Sequence, residues 1–212
     1  MSKELERRSY EFEVRAEQTD TGEKIITGRP IVYGSVTDMG YFDEVIEYGA
    51  LDNTDLTDVR FLVNHDTKMI PLARSRRNNG NSTMKLTPVL DGLDMDFVKL
   101  DVENNTTSRA LYSAVERGDL TGMSFMFSVN ADEWDNLDTD HPLRRIKEIG
   151  SVVEVSAVTF PAYAATEIQA RNKEALENAR LMLESIKSTR AASVDTDLML
   201  LKEKTKILTG GI

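Results

Sequence analysis

The sequence predicts a mainly β fold of the α+β class: an antiparallel barrel of about seven short strands with flanking helices, followed by a C-terminal helical tail. Three observations point there. Apolar residues recur with period two in short runs along residues 10–160, turn-forming residues separate those runs, and from about Thr166 the composition shifts to Ala, Glu, Leu and Arg. A closed barrel is expected because closure removes the sheet edges that invite aggregation. The length of 212 residues suits one core plus an appendage, divided here as a barrel domain over 1–165 and a tail over 166–212.

Tyr10, Phe12 and Val14 alternate with Glu11, Glu13 and Arg15, the pattern of a strand with one buried face. A turn at residues 19–22 leads into an extended run over 24–33, β-branched at Ile25, Ile26, Thr27, Ile31 and Val32 and bent at Gly28 and Pro30. The two segments are expected to form a hairpin. Residues 52–58 are polar and read as a short helix or an exposed loop, and residues 59–64 as an apolar strand. A second strand pair covers 83–89 and the alternating Leu93, Met95 and Phe97, joined through Asp91 and Gly92. One clear helix spans 108–117, capped by Thr106 or Thr107, with Ala110, Leu111, Ala114 and Val115 on one face and a stop at Gly118. Strands over 123–130 and 147–160 follow, separated by an acidic turn region at 132–140. In the tail, Leu176, Ala179, Leu183 and Ile186 form a coiled-coil-like seam. Residues 190–196 interrupt it before a second helical stretch over 198–208, and such a tail mediates assembly or is a removable appendage.

Composition narrows the function. The net charge of −10 argues against a nucleic-acid partner, because phosphate binding needs clustered Lys and Arg. The short basic run Arg74, Arg76, Arg77 reads as a solvated loop. There is no cysteine, so disulfides and thiolate metal sites are excluded, and two histidines, His65 and His141, are too few for a structural zinc. No metal or cofactor is expected. No run approaches the roughly 18 apolar residues of a membrane span, and the N-terminal residues lead into polar sequence instead of a signal-peptide apolar region. A protein without membrane partners, retained where it is made, is expected.

Three strand-like pieces carry the side chains that acyl transfer needs, a base, a hydroxyl and a carboxylate. His65 ends the apolar run 61–64, Ser124 lies within 122–127, and Glu154 lies within 153–162. Glu148, Glu154 and Ser156 share parity, so each is a candidate for the third position. Glu154 is preferred, since a carboxylate among Val152, Val153, Val155 and Val158 needs a charged or donor partner. His141 sits in an acidic loop beside Pro142 and is a poor substitute.

The motifs recur in a characteristic order: Tyr33-Gly34 and residues 44–50, then Asn64-His65-Asp66 followed by Pro71-Leu72, then Gly92-Leu93, Gly122-Met123-Ser124-Phe125, and residues 154–162. This order resembles the prohead maturation proteases of tailed phages with HK97-type capsids, over roughly residues 10–170. One departure is Ala73, where the family pattern has glycine. The resemblance implies a fold like that of the herpesvirus assembly proteases, a seven-stranded barrel with surrounding helices. It also implies Ser124 as nucleophile, His65 as general base and Glu154 as the group orienting it, where the herpesvirus enzymes use a second histidine. Arg74, Arg144 and Arg145 are oxyanion-hole candidates by analogy with the arginine-assisted holes of those relatives.

The implied substrates are the scaffolding segment of the major capsid protein, other core proteins and the enzyme itself, with activation through an oligomer. The implied location is the assembling prohead in the host cytoplasm. A contrasting expectation is an inactive scaffold or internal assembly protein whose tail binds capsid subunits. A head-maturation peptidase of crotonase-like fold would instead show repeated strand-helix units, whereas strands here are mostly consecutive.

Overall fold

The computed structural model describes residues 5–10, 14–159 and 173–185. Its strands are β1 Leu5–Tyr10, β2 Val14–Gln18, β3 Lys24–Val32, β4 Val36–Asp38, β5 Asp43–Ile46, β6 Arg60–Val63, β7 Ala73–Arg74, β8 Met84–Val89, β9 Gly92–Lys99, β10 Gly122–Asp135 and β11 Leu143–Val158, with helix α1 Thr106–Glu116 before β10. A second helix, α2, covers 173–185.

The strands form two open sheets, not one closed antiparallel barrel. The larger, seven-stranded sheet runs β1-β10-β11-β5-β4, with β6 also on β11 and β7 on β6; the smaller runs β2-β3-β9-β8. The strand β11 explains much of the difference from expectation. At 16 residues it has room for two successive neighbours on parallel pairings, β5 against Leu143–Ile146 and β6 against Glu154–Ala157. Parallel partners need crossover connections, which a purely consecutive antiparallel barrel lacks. The expected hairpin onto the run 24–33 is made by β2, whereas Tyr10, placed in that same first strand, ends β1 on β10, and residues 11–13 lie outside the described residues; the pair β8-β9 and the long hairpin β10-β11 are also present.

Both sheets turn apolar residues onto one core. Ile26, Ile31, Met84, Leu93, Met95 and Val98 meet Phe125, Phe127, Ile146, Val152, Val155 and Ala157, and α1 closes over them with Leu111, Tyr112 and Val115. The cap of α1 is Asn105, not Thr106 or Thr107. Its side-chain oxygen accepts from the backbone N–H groups of Thr107 and Ser108, at 2.9 and 3.1 Å, and Gly118 takes the left-handed conformation (φ 75°) just beyond the helix. Along α2, Leu176 is buried, and Arg180 donates to the backbone oxygens of Leu137 and Thr139 in the β10-β11 turn. The predicted stretch over 198–208, Ile186 and the boundary at 165/166 lie outside the described residues.

Strand β1 carries no apolar alternation. Its charges instead enter a buried cluster in which Arg8 bonds both oxygens of Glu44 and also Glu6, while Arg144 bonds Glu6, Glu44 and Asp132. Taking these groups out of water is costly, and multiple charge-assisted hydrogen bonds offset the cost. Burial pushes the Glu6 carboxyl up, but hydrogen bonds and charge from Arg144 and Arg8 outweigh it and hold the group below its ordinary value.

Replacing Glu44→Gln leaves two buried guanidiniums short of a charge and is expected to cost about 3–5 kcal/mol in urea unfolding; unchanged stability would show the cluster to be dispensable. Glu6, whose folded pKa is depressed, contributes stability that is present above the ordinary value near 4.5 and lost as pH falls through the lower folded value. Acid titrations of unfolding in the parent and in Glu6→Gln should therefore converge as that window is crossed.

Candidate active site

The site is built on the face of the large sheet opposite the core. In the antiparallel ladder, Ser124 on β10 lies directly across from Ser156 on β11 and from Ser9 on β1. Directly opposed residues share a face, so the three serines form a row across three strands, with Glu154 two positions along β11 on that same face. Phe125, Val155 and Ala157 alternate onto the other side and enter the core.

His65 arrives from β6, which runs parallel to β11 with Leu62 beside Ser156 and Val63 beside Ala157. Beyond Val63 the backbone turns sharply, with Asn64 (φ 52°) and His65 (φ 57°) both in the left-handed region. Each such non-glycine residue costs about 1–3 kcal/mol and persists only where its surroundings hold it. Several bonds to β11 and its end do so. Asn64 N–H donates to the Ala157 carbonyl at 2.9 Å, the Asn64 amide exchanges hydrogen bonds with Thr159 at 2.9 and 3.1 Å, and His65 N–H donates to Ser156 Oγ at 3.2 Å.

This turn brings His65 Nδ1 into hydrogen bond with Glu154 Oε1. Glu154 is only 2% exposed. Its second oxygen accepts from Ser156 Oγ at 2.6 Å, so Ser156 links the carboxylate to the histidine's own backbone in a closed loop of bonds. An unpaired carboxylate here would be very costly; pairing with an imidazole and a hydroxyl removes most of that penalty. A neutral imidazole that donates Nδ1–H to Glu154 keeps a lone pair on Nε2, the form that accepts a proton.

Ser124 is fully buried. Its hydroxyl donates to the Arg8 carbonyl at 2.7 Å and accepts from Ser9 Oγ at 2.7 Å; it makes no bond to His65. The structure thus joins His65, Glu154 and Ser156, and sets Ser124 across the ladder from Ser156 with its hydroxyl turned toward β1. Glu148 lies elsewhere on the hairpin, where it accepts from Asn130 Nδ2 at 2.7 Å. The three candidate arginines are committed to carboxylates, Arg74 to Asp58, Arg144 to Glu6, Glu44 and Asp132, and Arg145 to Asp135 and Glu47. None bonds Ser124, His65 or Glu154; Arg144 faces Trp134 across the β10-β11 ladder.

His141 lies on the surface with Asp43 at 3.1 Å and Asp38 at 3.8 Å. Sequence reasoning missed Arg8, Ser9 and Asn64. Asn64 did carry a signal, since asparagine tolerates the left-handed conformation better than most residues; β1 carried none.

A half-buried imidazole on a buried carboxylate, one strand away from a buried serine, has the composition of a serine hydrolase centre. The chain belongs to the caudovirus prohead serine protease family, whose model matches residues 10–180. That family is one of serine peptidases of phage prohead maturation. No curated protein and no solved structure matches the chain. Among the described residues no helix is long and apolar enough to cross a membrane.

The His65–Glu154 bond is expected to give a far-downfield imidazole proton resonance in NMR spectra, which disappears in Glu154→Ala. Its persistence in that variant would assign the proton to another partner.

Proposed function

We propose that the protein is a serine endopeptidase that cleaves the scaffolding segment of the major capsid protein, other core proteins and itself inside the assembling prohead in the host cytoplasm. The observation that supports this best is the His65–Glu154 pair on the sheet face shared with Ser124, in a chain of a prohead protease family. In this reading His65 Nε2 takes the Ser124 proton as Oγ attacks the scissile carbonyl. Glu154 holds the ring and stabilises the imidazolium, which then protonates the leaving amine. Water attacks the resulting acyl-enzyme by the same base, and Ser124 is regenerated.

Ser156 acts as a positioning residue. It holds the carboxylate by one oxygen and the histidine by its backbone, fixing both ends of the pair. Kinship with the herpesvirus assembly proteases enters at the level of this site, Glu154 standing where those enzymes have a second histidine. The tail over 166–212 is read as the part that docks to helical scaffold elements or is trimmed off by self-cleavage, and activity as linked to an oligomer.

Replacing Ser124→Ala is expected to abolish processing of the capsid protein and of the chain itself, and His65→Ala to lower kcat by about 10²–10⁴-fold. Unchanged processing by Ser124→Ala would end the protease reading in favour of a scaffold role.

A further inference from the structure

Strand β1 holds the hydroxyl of Ser124. It pairs with β10 from Leu5 opposite Ser128 to Tyr10 opposite Met123, so that Ser9 stands directly against Ser124. The Ser124 proton is given to the Arg8 carbonyl, and the Ser9 hydroxyl occupies a lone pair of the same oxygen. Ser124 is fully buried, and both hydrogen bonds of its hydroxyl go to β1. An extended peptide that added to this edge of β10 would use the same backbone donors and acceptors that β1 uses, so the two are mutually exclusive.

The attachment of β1 is mainly polar. Among the described residues it contributes no member to the shared hydrophobic core, and Leu5 at its start is 36% exposed. Its anchors include the backbone ladder to β10, the ion pairs of Glu6 and Arg8 with Glu44 and Arg144, and the Arg8 guanidinium over the Phe127 ring. Departure therefore breaks hydrogen bonds, charge pairs and one ring contact, which a replacing strand has to make good. The family match also begins at residue 10, so all but the last residue of β1 lies outside the part that defines the protease.

We propose that β1 is an autoinhibitory strand, an intramolecular occupant of the β10 edge that must leave before Ser124 can engage His65 and a substrate segment. This rests on the protease reading and adds its regulation. The enzyme is thereby held off by its own N-terminal strand until another extended segment, from a substrate or a second copy, takes that edge.

A reversible lock tests it in the full chain. The protein has no cysteine, so Leu5→Cys with Ser128→Cys places a single pair at directly opposed positions. Opposed Cα atoms in antiparallel strands are about 4.5–5.5 Å apart, within reach of a disulfide. The readout is the rate at which a fluorophosphonate labels Ser124, with Ser124→Ala as the unlabelled control. If the open form is a minor population of about 10% or less, oxidation should slow labelling about tenfold or more relative to the same protein after reduction. Glu6→Gln, which removes an anchor, should label faster than the parent chain. Equal rates in the oxidised and reduced states, with the label on Ser124 in both, overturn autoinhibition and leave the protease reading standing. No label in either state, together with capsid processing that survives Ser124→Ala, overturns both.

Discussion

The register between β10 and β11 is the constraint on which the rest of the structure depends. With Ser124 opposite Ser156, the alternation of the two strands sends Phe125, Val155 and Ala157 to the core and places Ser124, Glu154 and Ser156 together on the far side. A slip of one residue would exchange the two sets, taking the aromatic side chains out of the core and turning the polar ones onto it. Core packing thus fixes the site indirectly: the site residues cannot move to the other face without dismantling the core. The length of β11 adds the second half of the arrangement, because its last residues seat β6 and with it the turn that carries His65.

Two clusters of polar side chains serve different ends in this fold. Around Arg8 and Arg144 each guanidinium meets several carboxylates, so the cluster satisfies itself. At His65 and Glu154 the carboxylate takes one bond from the imidazole and one from Ser156, and the imidazole keeps a second nitrogen uncommitted by the carboxylate. The left-handed turn at Asn64 and His65 belongs with the second group. Its strain is sustained by the bonds of Asn64 to β11 and Thr159, a local arrangement that aims one ring at one carboxylate.

How legible this was differed from residue to residue. Strands β3, β8 and β9 and the β10-β11 hairpin were readable from apolar and β-branched runs set between turn-forming residues, and Glu154 stood out because a carboxylate in a valine-rich strand demands a partner. Strand β1 was not readable: Leu-Glu-Arg-Arg-Ser-Tyr has no apolar rhythm, and the groups that make it a strand, Glu44 and Arg144, lie far along the chain. The short β4, β5 and β7 offer two to four residues each, too few to show a period. Closure failed as an expectation for a different reason. Counting strands does not say which edges meet, and the two parallel seats on β11 are a property of pairing between distant segments. The carboxylate partners of the candidate arginines likewise lie at distant positions and could not be seen in the sequence.

The position of the Ser124 hydroxyl shows which feature controls the site. It bonds the Arg8 carbonyl and the Ser9 hydroxyl on β1, and across the ladder from it on β11 stands Ser156. A hydrogen bond between neutral partners contributes about 0.5–1.5 kcal/mol net, so the bonds at Arg8 and Ser9 alone would hold the rotamer only weakly. The six-residue ladder that carries those two residues is a far larger barrier, since all of it must be released together. Control of the nucleophile therefore resides in the strand pairing, and the serine's own hydrogen bonds report whether that pairing is in place.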